Sequence, residues 1–111
     1  MMAKQRTYSQ NAREAAVLMG QEIKLGRKQR QWTEKNLADR AGISRATLQK
    51  IENGEMSCSV GSVFEVATLV GIKLFEPDSM PLSKHIEHTQ DKVALLPKRI
   101  KTKKKTVRDD F

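Results

Sequence analysis

Residues 33–54, TEKNLADRAGISRATLQKIENG, decide the fold. Their spacing predicts two short helices joined by a tight turn. Thr33 is a good helix cap, because its hydroxyl accepts a hydrogen bond from an otherwise unpaired amide of the first turn. Leu37, Ala38 and Ala41 follow at helical spacing as a narrow apolar stripe, and Gly42 ends the helix where a left-handed residue is cheapest. Ser44 caps a second helix with Leu48 and Ile51 facing inward, closed by Asn53 and Gly54. Small Ala38 and Ala41 allow the close approach that a helix-turn-helix requires. Such a unit offers the start of its second helix to the major groove of DNA.

Two capped helices around a glycine are common in small helical proteins, so the outline alone is weak. The second helix adds the chemistry. Arg45, Ala46, Thr47, Gln49 and Lys50 occupy positions that the core does not need. Arg and Lys suit guanine edges and phosphates, Gln suits adenine, and Ala or the Thr methyl suits thymine. With the two caps, the candidate DNA-contacting set is Thr33, Ser44, Arg45, Ala46, Thr47, Gln49 and Lys50.

Residues 33–54 resemble the helix-turn-helix of Xre/Cro-type repressors. Leu37-Ala38, Ala41-Gly42-Ile43-Ser44 and Ile51-Glu52-Asn53-Gly54 fall where that family's pattern expects them. The resemblance extends from about residue 18 to residue 74. It makes Ile23 and Arg27 first-helix residues and residues 63–70 a fourth helix. The chain departs from the pattern at Glu34, where the family usually places a Gln that contacts phosphate. A carboxylate there favours the helix dipole but repels a phosphate, so Glu34 is not counted among the DNA-contacting residues.

Composition points the same way. A chain of 111 residues is one small domain with a modest core, and its formal net charge of +8 suits a polyanionic partner. No apolar run approaches the ~20 residues that span a bilayer, and no signal-peptide pattern opens the chain. The lone cysteine, Cys58, cannot form an internal disulfide, which fits a reducing cytoplasm, and the DNA-binding reading adds association with the nucleoid. It is expected to be a small structural or exposed residue rather than a nucleophile.

The organisation expected is a flexible stretch (1–10), a helix-turn-helix DNA-binding and dimerisation domain (11–76), an extension with one helix (77–97) and a basic disordered tail (98–111). The fold class is all-α: a compact bundle of four to five helices, plus one short strand near the C-terminus. The first helix should span about residues 11–30, with Ala15, Leu18, Met19 and Ile23 inward, and Gly20 makes a break or bend there conceivable. Trp32 suits the core. A helix over residues 62–70 buries Val63, Val66, Ala67 and Val70, and Gly71 stops it. The near-alternation of Ile72, Leu74 and Phe75 before Pro77 then predicts a strand over residues 72–76. A lone strand leaves its backbone groups unpaired, so two copies should pair across a twofold homodimer through Ile72, Leu74 and Phe75. The alternative is an extended segment packed on its own domain. The strand also resembles the C-terminal strand of HipB-like repressors, whose subunits pair through it.

Beyond Pro77, residues 83–96 have a thin helical stripe of Ile86, Val93 and Leu96. His85 and His88 stand at a spacing that a metal can use, but no third ligand is near and no metal is expected. Lys98, Arg99, Lys101, Lys103, Lys104, Lys105 and Arg108 then form a like-charge block suited to nonspecific phosphate contact, or simply to solvation. The terminus Asp109-Asp110-Phe111 suits capture by a protein. Together with residues 94–100 it resembles the C-terminal region of antitoxins paired with HipA-type kinase toxins. The resemblance thus implies a repressor of its own operon that binds double-stranded operator DNA and neutralises a HipA-like kinase, with Asp109, Asp110 and Phe111 as toxin contacts. The alternatives are a stand-alone Xre-type regulator, or a protein-interaction adaptor whose tail binds nucleic acid nonspecifically. A glycine-rich phosphate loop, a nucleophile elbow and a cluster of metal ligands are all missing from the sequence, so neither catalytic residues nor a cofactor is expected.

Overall fold

The computed structural model describes residues 7–75 and 80–100. Five helices appear among them: α1 (Gln10–Gln29), α2 (Glu34–Ala41), α3 (Arg45–Glu52), α4 (Val60–Leu69) and α5 (Leu82–Ala94). The chain divides into two compact units, Met1–Glu76 with α1 to α4 and Pro77–Phe111 with α5.

Each helix of the first unit starts where a hydroxyl can take an orphan amide. Ser9, Thr33, Ser44 and Ser59 accept from the amides of Ala12, Asn36, Thr47 and Ser62. Each of these four helices also contributes one large, fully buried side chain: Ile23, Leu37, Leu48 and Val66. Burying such a side chain stabilises the fold by about 1.5–3 kcal/mol. Ala38, Ile51, Ala67 and Val70 fill the space between them, with Trp32, Ile72 and Leu74 packed around the edge.

The inward face of α1 differs from expectation. Ile23 is buried and Met19 half-buried as expected, but Ala15 and Leu18 face outward. The reason lies at Gly20. A Cβ there would stand 2.5 Å from the carbonyl oxygen of Ile51 and 2.7 Å from that of Glu52. The end of α3 therefore packs directly on the α1 backbone, which turns Gly20, Ile23 and Arg27 inward. No break occurs at this position. Gly20 is a packing contact.

Residues 72–75 do not form the expected strand. Their course is set by the end of α4, where the Ile72 amide donates back to the Ala67 carbonyl and the Gly71 amide to that of Thr68. The chain then turns at Leu74 and Phe75, and Phe75 has φ 58°, outside the extended region. Ile72 and Leu74 rest on the core of their own domain. The Phe75 ring, 74% exposed, meets Phe64 edge to face with centroids 6.1 Å apart. The all-α class and the helix-turn-helix stand.

In the second unit, α5 follows Pro81 and leaves Leu82, Ile86 and Val93 exposed. The basic block beyond residue 100 and the terminus Asp109-Asp110-Phe111 lie outside the described residues.

Candidate nucleic-acid interface

The α2–α3 pair follows from local chemistry at three points. Thr33 and Asn36 cap each other, the Asn36 amide donating to Thr33 Oγ1 at 3.0 Å and the Thr33 amide to Asn36 Oδ1 at 3.1 Å. Gly42 turns the chain at φ 72°, a left-handed conformation that glycine adopts without a Cβ penalty. Ser44 Oγ accepts from the Thr47 amide at 3.0 Å and donates to Thr47 Oγ1 at 2.9 Å. Ser44 and Thr47 thus stiffen the first turn of α3.

Burial of Leu48, Ile51 and Glu52 orients α3. The opposite side presents Arg45, Ala46, Gln49 and Lys50 to solvent, with Thr47 half-buried. Of the expected set, these residues lie on one helix face, and Thr33 and Ser44 mark the two helix starts beside it.

A cleft between α1 and the starts of α2 and α3 is lined by Lys24, Lys28, Lys35 and Arg45 around Thr33 and Glu34. Lys24 and Lys28 are absent from the sequence-derived set. Their spacing of four puts them on one face of α1, but only tertiary packing brings that face beside residues 33 and 45.

Glu34, excluded from that set, sits in the middle of the surface. Its Oε1 accepts from Nε of Arg45 and from Nε2 of Gln49, each at 2.9 Å. These hydrogen bonds, the one from Gln49 first and then the one from Arg45, hold the Glu34 carboxyl below the ordinary carboxylate range. The nearby pair Lys35–Asp39, at 2.9 Å, is exposed and worth only a few tenths of a kcal/mol.

Behind the surface, Arg27 binds Glu52 and also donates from Nη1 to the Trp32 carbonyl at 3.1 Å. The Trp32 ring carries Arg40 above it at 4.2 Å and Arg30 at 5.7 Å. Trp32 is therefore an edge residue of the core with a cationic surround. Burial pushes the Cys58 thiol up, which disfavours the reactive thiolate.

Residues 23–76 match the family model described as a helix-turn-helix, HTH_3. Several solved chains share the fold. One described as an MDT protein, one from a HipA–HipB–O2–O3 complex and one from a HipB–O4 20-mer complex each show 25% identity and a TM-score of 0.50. Each match covers 69% of this chain and all of the solved chain. No curated protein gives a significant match.

Proposed function

We propose, for a chain whose residues 23–76 match the helix-turn-helix family model, that it acts as a homodimeric, sequence-specific Xre-type repressor of its own operon. In this reading it is also an antitoxin that holds a HipA-like kinase inactive. The carrying observation is the exposed face of α3, where Arg45, Ala46, Gln49 and Lys50 stand over a buried Leu48 and Ile51. Those side chains supply donors, an acceptor and a methyl group suited to base edges in a major groove. The antitoxin role is supported by likeness to a chain solved with HipA, HipB, O2 and O3 in one complex.

The chain works in the cytoplasm, on the nucleoid, with no catalytic step of its own. Among the described residues, no helix is long and apolar enough to cross a membrane. Two copies bring two α3 helices to half-sites about one helical turn of DNA apart, or a multiple of it. Of the three residues expected at the dimer joint, Phe75 contributes through its exposed ring, whereas Ile72 and Leu74 pack on the core of their own domain.

The test is selection of duplexes from a random pool by the full chain, together with coexpression beside its native neighbours. An enriched, twofold-symmetric sequence and copurification of a kinase-like neighbour are expected. Sequence-independent binding would overturn the repressor role, and enrichment without a copurifying kinase would leave a stand-alone regulator.

A further inference from the structure

An acidic side chain beside the candidate DNA-reading residues, Glu34, is engaged with two of them. Glu34 opens α2, beside its cap Thr33. Its Oε1 receives both Arg45 Nε and Gln49 Nε2 at 2.9 Å. Arg45 and Gln49 stand four residues apart on α3, so they share one side of it. The Arg45 side chain is 66% exposed and that of Glu34 is 28% exposed. The cluster therefore faces outward.

These bonds leave a defined set of free groups. With Nε engaged, Arg45 keeps the planar fork formed by its two Nη groups, which have no partner among the described residues. With one amide hydrogen engaged, Gln49 keeps its carbonyl oxygen as an acceptor and a second hydrogen as a donor. A fork of two donors suits guanine O6 and N7, and an amide with one donor and one acceptor suits adenine. Holding both side chains before DNA arrives removes part of the ordering cost of binding.

The carboxylate has a second effect. An unpaired arginine on an exposed helix binds phosphate wherever it meets it, and phosphate contact carries no sequence information. A carboxylate in contact with the guanidinium cancels most of its field at a distance and repels an approaching phosphate. Base edges, which carry no net charge, are spared that repulsion.

Resting on the DNA-binding reading above, we propose that Glu34 is a specificity-determining residue, holding Arg45 and Gln49 for base edges and preventing Arg45 from serving as an indiscriminate phosphate anchor. Overall affinity is lower for it. Discrimination between sequences is higher.

The test titrates the full chain and its Glu34→Gln, Glu34→Ala, Arg45→Ala and Glu34→Gln/Arg45→Ala variants. Each is measured against a duplex selected by the parent and against a scrambled duplex, over a series of salt concentrations. Glu34→Gln should bind scrambled DNA several-fold more tightly, and its plot of log affinity against log salt should steepen by about 0.9, the signature of one added phosphate contact. The ratio of selected to scrambled affinity should fall about tenfold, within the range carried by one bidentate base contact. Glu34→Ala should move both readouts in the same direction. In the Arg45→Ala background the change in slope should vanish, because Glu34 acts on the salt dependence through Arg45. A Glu34→Gln variant with the parent's ratio and slope, or a slope change that survives Arg45→Ala, would overturn the role of Glu34 while leaving DNA reading intact. A parent that prefers no sequence would overturn both.

Discussion

Arg27 of α1 and Glu52 at the end of α3 form a two-pronged ion pair, Nε to Oε2 at 2.7 Å and Nη2 to Oε1 at 3.0 Å. Their side chains are only 7% and 4% exposed. The pair fixes the end of α3 against α1, close to the Gly20 contact, and so helps set the orientation of α3.

Removing one partner strands the other as a buried charge. Glu52→Ala should cost about 3–5 kcal/mol, whereas Arg27→Met combined with Glu52→Leu should cost less, because no lone charge remains. Urea unfolding midpoints give the comparison. The hydrogen bond to Glu52 raises the Arg27 value above its ordinary one. This contribution is fully present below the unfolded value and is lost only as pH rises through the still higher folded value. Arginine protonation should therefore leave stability flat across the whole working pH range.

Glu34 has the opposite sign. Its folded value is depressed, so its contribution is present above the ordinary carboxylate value and is lost as pH falls through the lower folded one. The side-chain amide resonances of Gln49 should report that step by shifting at a pH below the range of a free glutamate. In Glu34→Gln the shift should be gone. A midpoint at or above the ordinary value would mean that the contact is not kept in solution.

Arg45→Ala should weaken binding to a selected duplex by about 1–3 kcal/mol if its fork reads a guanine, with a smaller loss on scrambled DNA. Equal losses on both would make Arg45 a phosphate contact.

Dimerisation is best probed at Phe75, because Leu74 packs on the core and its replacement would disturb folding as well. Phe75→Ser removes an exposed ring while leaving the four fully buried core side chains untouched. Sedimentation should show a shift from dimer to monomer. A variant as dimeric as the parent would move the joint to another surface, with the exposed Leu82, Ile86 and Val93 of α5 next in line.

Deleting residues 98–111 should weaken binding to every DNA sequence. The salt dependence should flatten by about 0.9 for each phosphate that the shortened chain no longer neutralises. If Asp109, Asp110 and Phe111 capture a kinase toxin, toxin binding should fall in the same variant. Paired titrations against DNA and toxin separate the two contributions.

The α2–α3 unit was legible in the sequence because it is local. Thr33, Gly42 and Ser44 act within a turn of their own positions, through capping and a left-handed φ. The exposed side of α3 was equally legible, since burial of Leu48 and Ile51 determines which residues remain outside. The α1 face was harder to read: apolar spacing pointed to Ala15 and Leu18, whereas a missing Cβ at Gly20 brings α3 onto the neighbouring face. The supposed strand failed for a similar reason, because hydrogen bonds closing α4 turn the chain before an extended segment can form. Glu34 shows the limit most clearly. Judged alone, a carboxylate only repels phosphate, but its partners lie 11 and 15 residues away and become neighbours only when α2 packs on α3. The sequence by itself determined α2 and α3, their caps Thr33 and Ser44, and the exposed face of α3. Tertiary packing alone decided that Glu34 belongs to that face, because contacts between helices depend on how close their backbones can approach.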